Sequence, residues 1–317
     1  MKKMILRNAF ILLFFAGIFA AGSTAASPAD TLTVGKNKLN FLVIGDWGRA
    51  GEYLQRETGA EMNNVSKKIS PAFIISTGDN IYAHGVASVD DPQWWFSFEN
   101  VYSGANLFID WYAVLGNHDY NGSAKAQIDY SKKSRRWRMP DYYYTVERSV
   151  PASEKKILFV FLDTNQFEKS YYKRAEQYPE LQEHDPQKQI VWLDSVLAVS
   201  KADWKFVIGH QHVLTGGMRK GSKSDTGEVL KPILDKYNVD AYLCGHEHDL
   251  QHLKGEGKTN YFVSGAGSQL RETGAVKETK FSKSVNGFMA FSVGESETLV
   301  QVIDYTGAVI YKTVLKK

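Results

Sequence analysis

The chain has 317 residues, 43% of them hydrophobic and 13% aromatic, which supplies a large buried core and excludes a disordered protein. Its 38 Lys and Arg nearly balance its 35 Asp and Glu. The net charge of +3 is spread along the chain, so no basic stripe of the kind a nucleic-acid backbone requires is present. The SKKSRRWR run at 131–138 is the local exception and reads as a solvated helix face or turn.

In chain order, Lys2, Lys3 and Arg7 lead into AFILLFFAGIFAAG, and the small residues GSTAAS precede Pro28. This is the layout of an export signal over 1–25, leaving 26–317 as a single globular domain with a secreted or periplasmic destination. The apolar run from Ala9 to Gly22 is shorter than the ~20 residues that span a bilayer, and an uncleaved anchor is the alternative reading. Without that segment no membrane contact is expected, and nothing in the chain demands more than a monomer. Cys244 is the only cysteine, so no intrachain disulfide forms and no thiol follows the signal to carry a lipid.

Five apolar runs of strand length then end in glycine, each followed at once by possible metal ligands: FLVIGDWG, FIISTGDN, WYAVLGNHD, KFVIGHQH and AYLCGHEH. Near-continuous hydrophobicity without alternation predicts strands buried on both faces. Apolar residues three and four apart predict amphipathic helices over 186–201 and 228–238. Strands alternating with helices imply an α/β fold whose ligands gather beyond the carboxyl ends of the strands. Glycine before each tip permits a sharp turn and a close backbone approach. In the last third, YFVSGAG, GFMAFSVG, TLVQVIDY and AVIYKTVL read as successive strands joined by short turns, which predicts a mixed or second sheet.

With 8 histidines in 317 residues, random placement yields about 0.2 pairs at i, i+2. The chain has two, His210 with His212 and His246 with His248, each at the end of an apolar run where side chains on a turn can converge on an ion. Asp46 and Asp79 add anionic donors, and a carboxylate between two cations lessens their repulsion. So many donors of differing hardness suit two ions rather than one. Tyr82, one of seventeen tyrosines, stands three residues after Asp79, close enough for carboxylate and phenol to address the same ion across one turn. A phenol ionises only near pH 10 unaided, so a phenolate ligand calls for a hard, strongly acidic ion such as iron(III).

GDWG, GDNIY, GNHD, GHQH and GHEH, in that order, resemble the motifs of the purple acid phosphatases within the calcineurin-like metallophosphoesterases. The likeness to the small tartrate-resistant acid phosphatases is closer still, since WYAVLGNHD, AYLCGHEHDLQHL and YFVSGAGS match beyond the metal motifs, and it spans about residues 38–313. The resemblance implies two mixed β-sheets packed as a sandwich, flanked by helices. It implies iron(III) held by Asp46, Asp79, Tyr82 and His248, and a divalent ion (iron, zinc or manganese) held by Asp79, Asn117, His210 and His246. It also places His118 beside the substrate phosphate, assisting the departing oxygen. The chain departs from mammalian relatives at His212, where they carry proline, and three readings of His212 stay open: facing substrate, orienting a neighbour, or a local hydrogen bond. The basic, glycine-rich loop from Thr215 to Asp225 departs as well; it reads as a mobile surface loop or as steering of anions by Arg219, Lys220 or Lys223. His84 and His252 read as structural or surface residues.

The activity so implied is hydrolysis of phosphate monoesters, small molecules or phosphoproteins, by attack of a hydroxide held on the metals. A trivalent ion lowers the pKa of bound water enough to sustain this in mild acid. Competing expectations are a phosphodiesterase or nucleotide pyrophosphatase on the same scaffold, a non-catalytic phosphate- or iron-binding protein, and iron redox chemistry with peroxide.

Overall fold

The computed structural model describes residues 31–317. The expected signal, and the anchor that is its alternative, lie outside these residues. The first half of the chain runs β1 (Leu39–Ile44), α1 (Gln55–Ile69), β2 (Phe73–Ser76), β3 (Asp110–Ala113), α2 (Ala124–Tyr130), β4 (Trp137–Arg138), β5 (Tyr144–Ser149) and β6 (Lys156–Phe161). The second half runs α3 (Lys169–Tyr172), α4 (Pro186–Val199), β7 (Trp204–Ile208), α5 (Asp225–Lys236), β8 (Ala241–Cys244), β9 (Leu250–Leu253), β10 (Asn260–Ser264), β11 (Thr279–Lys283), β12 (Gly287–Val293), β13 (Glu297–Asp304) and β14 (Val309–Lys316).

These strands make two seven-stranded mixed sheets, ordered β14-β13-β12-β1-β2-β3-β4 and β11-β9-β10-β8-β7-β6-β5. The α/β sandwich expected from the sequence is therefore present. In the first sheet β1, β2, β3 and β4 are parallel, with Val43 opposite Ile75 and Ile75 opposite Tyr112. In the second, β6, β7, β8 and β10 are parallel. Parallel pairing puts the carboxyl ends of the motif-bearing strands on one side of each sheet. The two sheets meet through aromatic rings: Phe41 stacks on Phe73 and Phe291 of its own sheet at 5.2 and 5.0 Å, and meets Phe159 and Phe206 of the other edge-on at 5.3 and 5.8 Å. Such offset and T-shaped contacts satisfy the ring quadrupoles while burying the largest side chains.

Every residue of β1, β2 and β8 is buried, as the unalternating hydrophobic runs require. Helices α4 and α5 bury Leu193, Leu197, Leu230 and Leu234 against Val207, Tyr242 and Val263 on the outer face of the second sheet. Asp185 caps α4 by accepting from the Gln187 amide, with Pro186 at its first position. Helix α5 starts three residues earlier than its apolar spacing predicts, because the Ser224 hydroxyl accepts from the Gly227 amide and Asp225 and Glu228 favour the amino-terminal dipole.

Two readings of the sequence are corrected. In the 131–138 run, Lys132 is solvated, but Arg136 is buried and paired with Glu99 at 2.6 Å, and Trp137 is fully buried in β4. The four late strands are not one consecutive set. β10 joins the second sheet, β12 to β14 form an antiparallel meander on the first, and β9 and β11 are additional strands too short or too polar to stand out.

Candidate metal centre

The tips after β1, β2, β3, β7 and β8 meet in a small buried cluster. Asp46, Asp79 and His210 offer oxygen and nitrogen atoms that all lie within 4.8 Å of one another. The Tyr82 hydroxyl lies 2.9 Å from Asp46 Oδ1, 2.8 Å from Asp79 Oδ2 and 3.2 Å from His248 Nε2. On the other side His210 Nε2 lies 3.5 Å from Asp79 Oδ1 and 3.2 Å from His246 Nδ1. The two oxygens of Asp79 thus face different donor sets: Asp46, Tyr82 and His248 on one side, His210 and His246 on the other.

Backbone carbonyls orient the rings. A carbonyl only accepts, so the contacts of His210 Nδ1 with Thr77 O at 2.9 Å and of His248 Nδ1 with Gln269 O at 2.8 Å place a hydrogen on Nδ1 and turn each Nε2 inward. The carboxylates are steered by amides: His246 N donates to Asp46 Oδ2 at 2.9 Å, and His118 N to Asp79 Oδ1 at 2.8 Å. Asp46, Asp79 and His246 all adopt positive φ, of 57°, 48° and 69°. Such backbone strain in non-glycine residues persists only where surrounding structure over-determines it. The glycines serve chiefly for proximity, since a Cβ on Gly116 would collide with the Asp79 carboxylate and one on Gly245 with that of Asp46.

The electrostatics describe a site short of positive charge. Burial, with the neighbouring Asp79 charge adding and His210 opposing, pushes the Asp46 carboxyl up to about 8. Burial would raise Asp79 as well, but His210 and His118 hold it well below the usual carboxylate range. His210 is disfavoured as a cation by burial yet raised to about 9 by Asp79 and Asp46. Burial drives His246 well below its ordinary value, with His210 adding, and burial takes His248 to about 3. Tyr82 is pushed well above 10 by burial and both carboxylates. Protons here do what cations would do better: the Tyr82 hydroxyl hydrogen, a proton on Asp46 and one on His210 relieve a buried pair of carboxylates. The buried Asn117 Oδ1 has no hydrogen-bond partner, an acceptor left for a cation. The donor set therefore fits a metal pair.

His118 sits at the edge, its ring 4.5 Å from that of Tyr82 and its Nδ1 2.7 Å from Ala83 O, which directs Nε2 away from the loop. His212 is not among the converging donors. It is buried behind His246, the two rings 6.0 Å apart and inclined 23°, and its Nδ1 has no partner. Burial first, then Arg219 and His210, lower its pKa to about 4. Both His212 and His246 line, with Asn117, a cavity of about 330 Å³ that also takes in Arg174, Arg219 and Lys223. His84 is exposed, while His252 is a buried residue of β9 bonded to Tyr311 and Asn260.

Some positioning residues have no metal-binding character and were not singled out in the sequence. Asp119 accepts from the amides of Asn80, Ile81 and Gly116 and from Gln127 Nε2, tying the loop after β2 to the loop after β3. Both Asn80 and Asp119 stand inside the quoted motifs GDNIY and GNHD, which was the available signal. Thr164 accepts from the amides of His210 and Gln211 in the same way, with no motif to mark it. Arg49 lays its guanidinium 3.8 Å from the centre of the Tyr82 ring.

Comparison with known proteins agrees with this architecture. Residues 39–250 match the family model described as Calcineurin-like phosphoesterase. Purple acid phosphatase 7 of Arabidopsis thaliana is 34% identical over 99% of this chain and 98% of its own length. Tartrate-resistant acid phosphatase type 5 of Oryctolagus cuniculus is 35% identical, covering 82% of this chain and 81% of the relative. Among solved structures, GAP50, the anchor in the inner membrane complex of Plasmodium, aligns with TM-score 0.77 at 25% identity over 89% of both chains. The fold and site define a calcineurin-like metallophosphoesterase. Within that class the chain belongs to the purple and tartrate-resistant acid phosphatases, so it is a metal-dependent phosphatase. The family implies a dinuclear metal centre, and the cluster at the strand tips is the candidate site for it.

Proposed function

We propose that residues 26–317 form an exported acid phosphatase domain that hydrolyses phosphate monoesters, with the leader at 1–25 directing it to a periplasm or the medium. The observation that carries the catalytic part is the division of donors about Asp79, one oxygen toward Asp46, Tyr82 and His248 and the other toward His210 and His246. Asp46, Asp79, Tyr82 and His248 would hold iron(III). Asp79, Asn117, His210 and His246 would hold a divalent ion: iron, zinc or manganese. When bound, the pair neutralises phosphate charge and lowers the pKa of water.

The chain's own residues do the rest. Asn117 and His246 border the cavity that receives the ester, and the His118 ring, fixed through Nδ1, offers Nε2 to the leaving oxygen and can donate a proton there. The Arg49 guanidinium, 3.8 Å from the centre of the Tyr82 ring, keeps a positive charge beside the phenol. His212 presents an uncharged ring to the cavity wall and is assigned to substrate contact rather than to a metal.

Purified protein with its metals intact should turn over an aryl phosphate monoester much faster than the matching diester. A diester rate equal or higher would replace this reading by the phosphodiesterase one, and no turnover at all would leave a binding protein. A visible charge-transfer band that vanishes in Tyr82→Phe is expected of the tyrosinate; its persistence would remove Tyr82 from the ligand set. Rapid loss of turnover as peroxide is consumed would instead favour the redox alternative.

A further inference from the structure

Three cationic side chains border the cavity beside Asn117 and His246, and they are not engaged alike. Arg174, Arg219 and Lys223 all line it, on two separate segments, against the single carboxylate of Glu168. That carboxylate is already engaged: it accepts from Thr226 Oγ1 at 2.7 Å and from the Thr226 amide at 3.2 Å. Lys223 is exposed and paired with Glu228 at 2.6 Å. Arg219 is anchored from behind, donating to His246 O at 3.1 Å, with Glu247 Oε1 at 3.5 Å.

Arg174 differs from both. It makes no ion pair among the described residues, and its one side-chain hydrogen bond is a long one, 3.3 Å to Gln177 Oε1. Its guanidinium lies 5.0 Å from the centres of both the Tyr171 and Tyr178 rings, which are buried and stack on each other at 4.8 Å. Contact with the two rings holds the guanidinium at the cavity while leaving most of its N–H donors unspent, the arrangement suited to a carboxylate or phosphate.

We infer that this cavity is a second anion subsite, and that the preferred substrates are small phosphate monoesters bearing a further carboxylate or phosphate a few bonds from the ester. The ester phosphate occupies the metal side and the second anion takes Arg174, with Arg219 contributing. The inference rests on the monoesterase reading above and specifies its substrate class.

The test compares sn-glycerol 3-phosphate with 3-phosphoglycerate, which differ by a hydroxymethyl group against a carboxylate. In the metal-loaded parent enzyme, kcat/KM for 3-phosphoglycerate should exceed that for glycerol 3-phosphate by about tenfold, the value of one charge-assisted contact. Arg174→Gln should bring that ratio close to one, while Lys132→Gln, the same change of charge outside the cavity, should leave it as in the parent. A parent ratio near or below one, with glycerol 3-phosphate turned over, overturns the subsite and spares the monoesterase. Equal loss of the ratio in Lys132→Gln also overturns it, assigning the preference to net charge. If an aryl phosphate monoester is hydrolysed and neither of these esters is, the subsite is overturned and the monoesterase stands; if none of the three is hydrolysed, both readings fail.

Discussion

The floor of the site and its rim are built on opposite terms. The floor is buried, strained and over-determined: Asp46, Asp79 and His246 keep left-handed backbones because glycine neighbours, inward amides and the Asp119 network leave no other arrangement. The rim, from Ser170 to Tyr178 and from Thr215 to Ser224, is largely exposed and carries its cations on loops. Rigid strand ends hold groups whose positions the chemistry cannot relax, while loops can vary what the site accepts without disturbing it. Under the proposed function, the floor belongs to the reaction and the rim to the substrate.

The contrast can be broken most severely at Asp79. Asp79→Ala removes the group shared by both donor sets and should lower kcat by at least about 10³-fold, with loss of bound metal measured by elemental analysis. Near-parental turnover would dissolve the idea of a floor organised about this residue. His118→Ala should cost on the order of 10²-fold while metal content and visible band stay at parental levels, since its side chain meets only the Ala83 carbonyl and the Tyr82 ring. Loss of metal there would make His118 part of the floor instead. Asp119→Ala, which leaves three backbone amides unpaired, should reduce activity about 10-fold and lower the thermal midpoint; a variant as stable as the parent would show that the loops after β2 and β3 hold themselves. At the rim, Lys223→Gln should change kcat/KM by less than about threefold, and the effect should fade with added salt, as for any exposed charge.

An effect on stability rather than turnover lies away from both regions. Burial lowers the His252 pKa to about 4, against an ordinary value near 6.5, so the folded protein keeps this ring neutral. The unfolded chain takes up the proton first as pH falls. The stability tied to His252 is thus intact above about 6.5 and is lost progressively toward pH 4, by on the order of 2 kcal/mol. His252→Gln, which can still bond Tyr311 and Asn260, should show a smaller fall in thermal midpoint between pH 7 and 4.5. Equal falls in the two proteins would exclude His252 as the cause.

Much of the floor was legible beforehand because its ligands directly follow strands, so sequence neighbours in GDWG, GDNIY, GNHD, GHQH and GHEH are also spatial neighbours. Strands β1, β2, β7 and β8 were legible for a related reason: burial on both faces leaves an unbroken apolar run. The strands that escaped notice, β9 and β11, are short or half-polar, and their register depends on partners elsewhere in the chain. Arg136 looked solvated because a charge run says nothing about Glu99, 37 positions away, which takes it into the interior.

By itself the sequence determined the alternation of strands and helices and the family, and it singled out the side chains proposed to bear the chemistry. A ligand must be a particular residue type after a particular turn, and such constraints are local. Only the tertiary structure decided how those candidate ligands divide about the two oxygens of Asp79. It also decided that His212 stands behind His246, and that Arg174 shares a cavity with Asn117 across 57 residues of chain. Those relations join segments from both sheets, and packing, rather than any local preference of the backbone, brings them together.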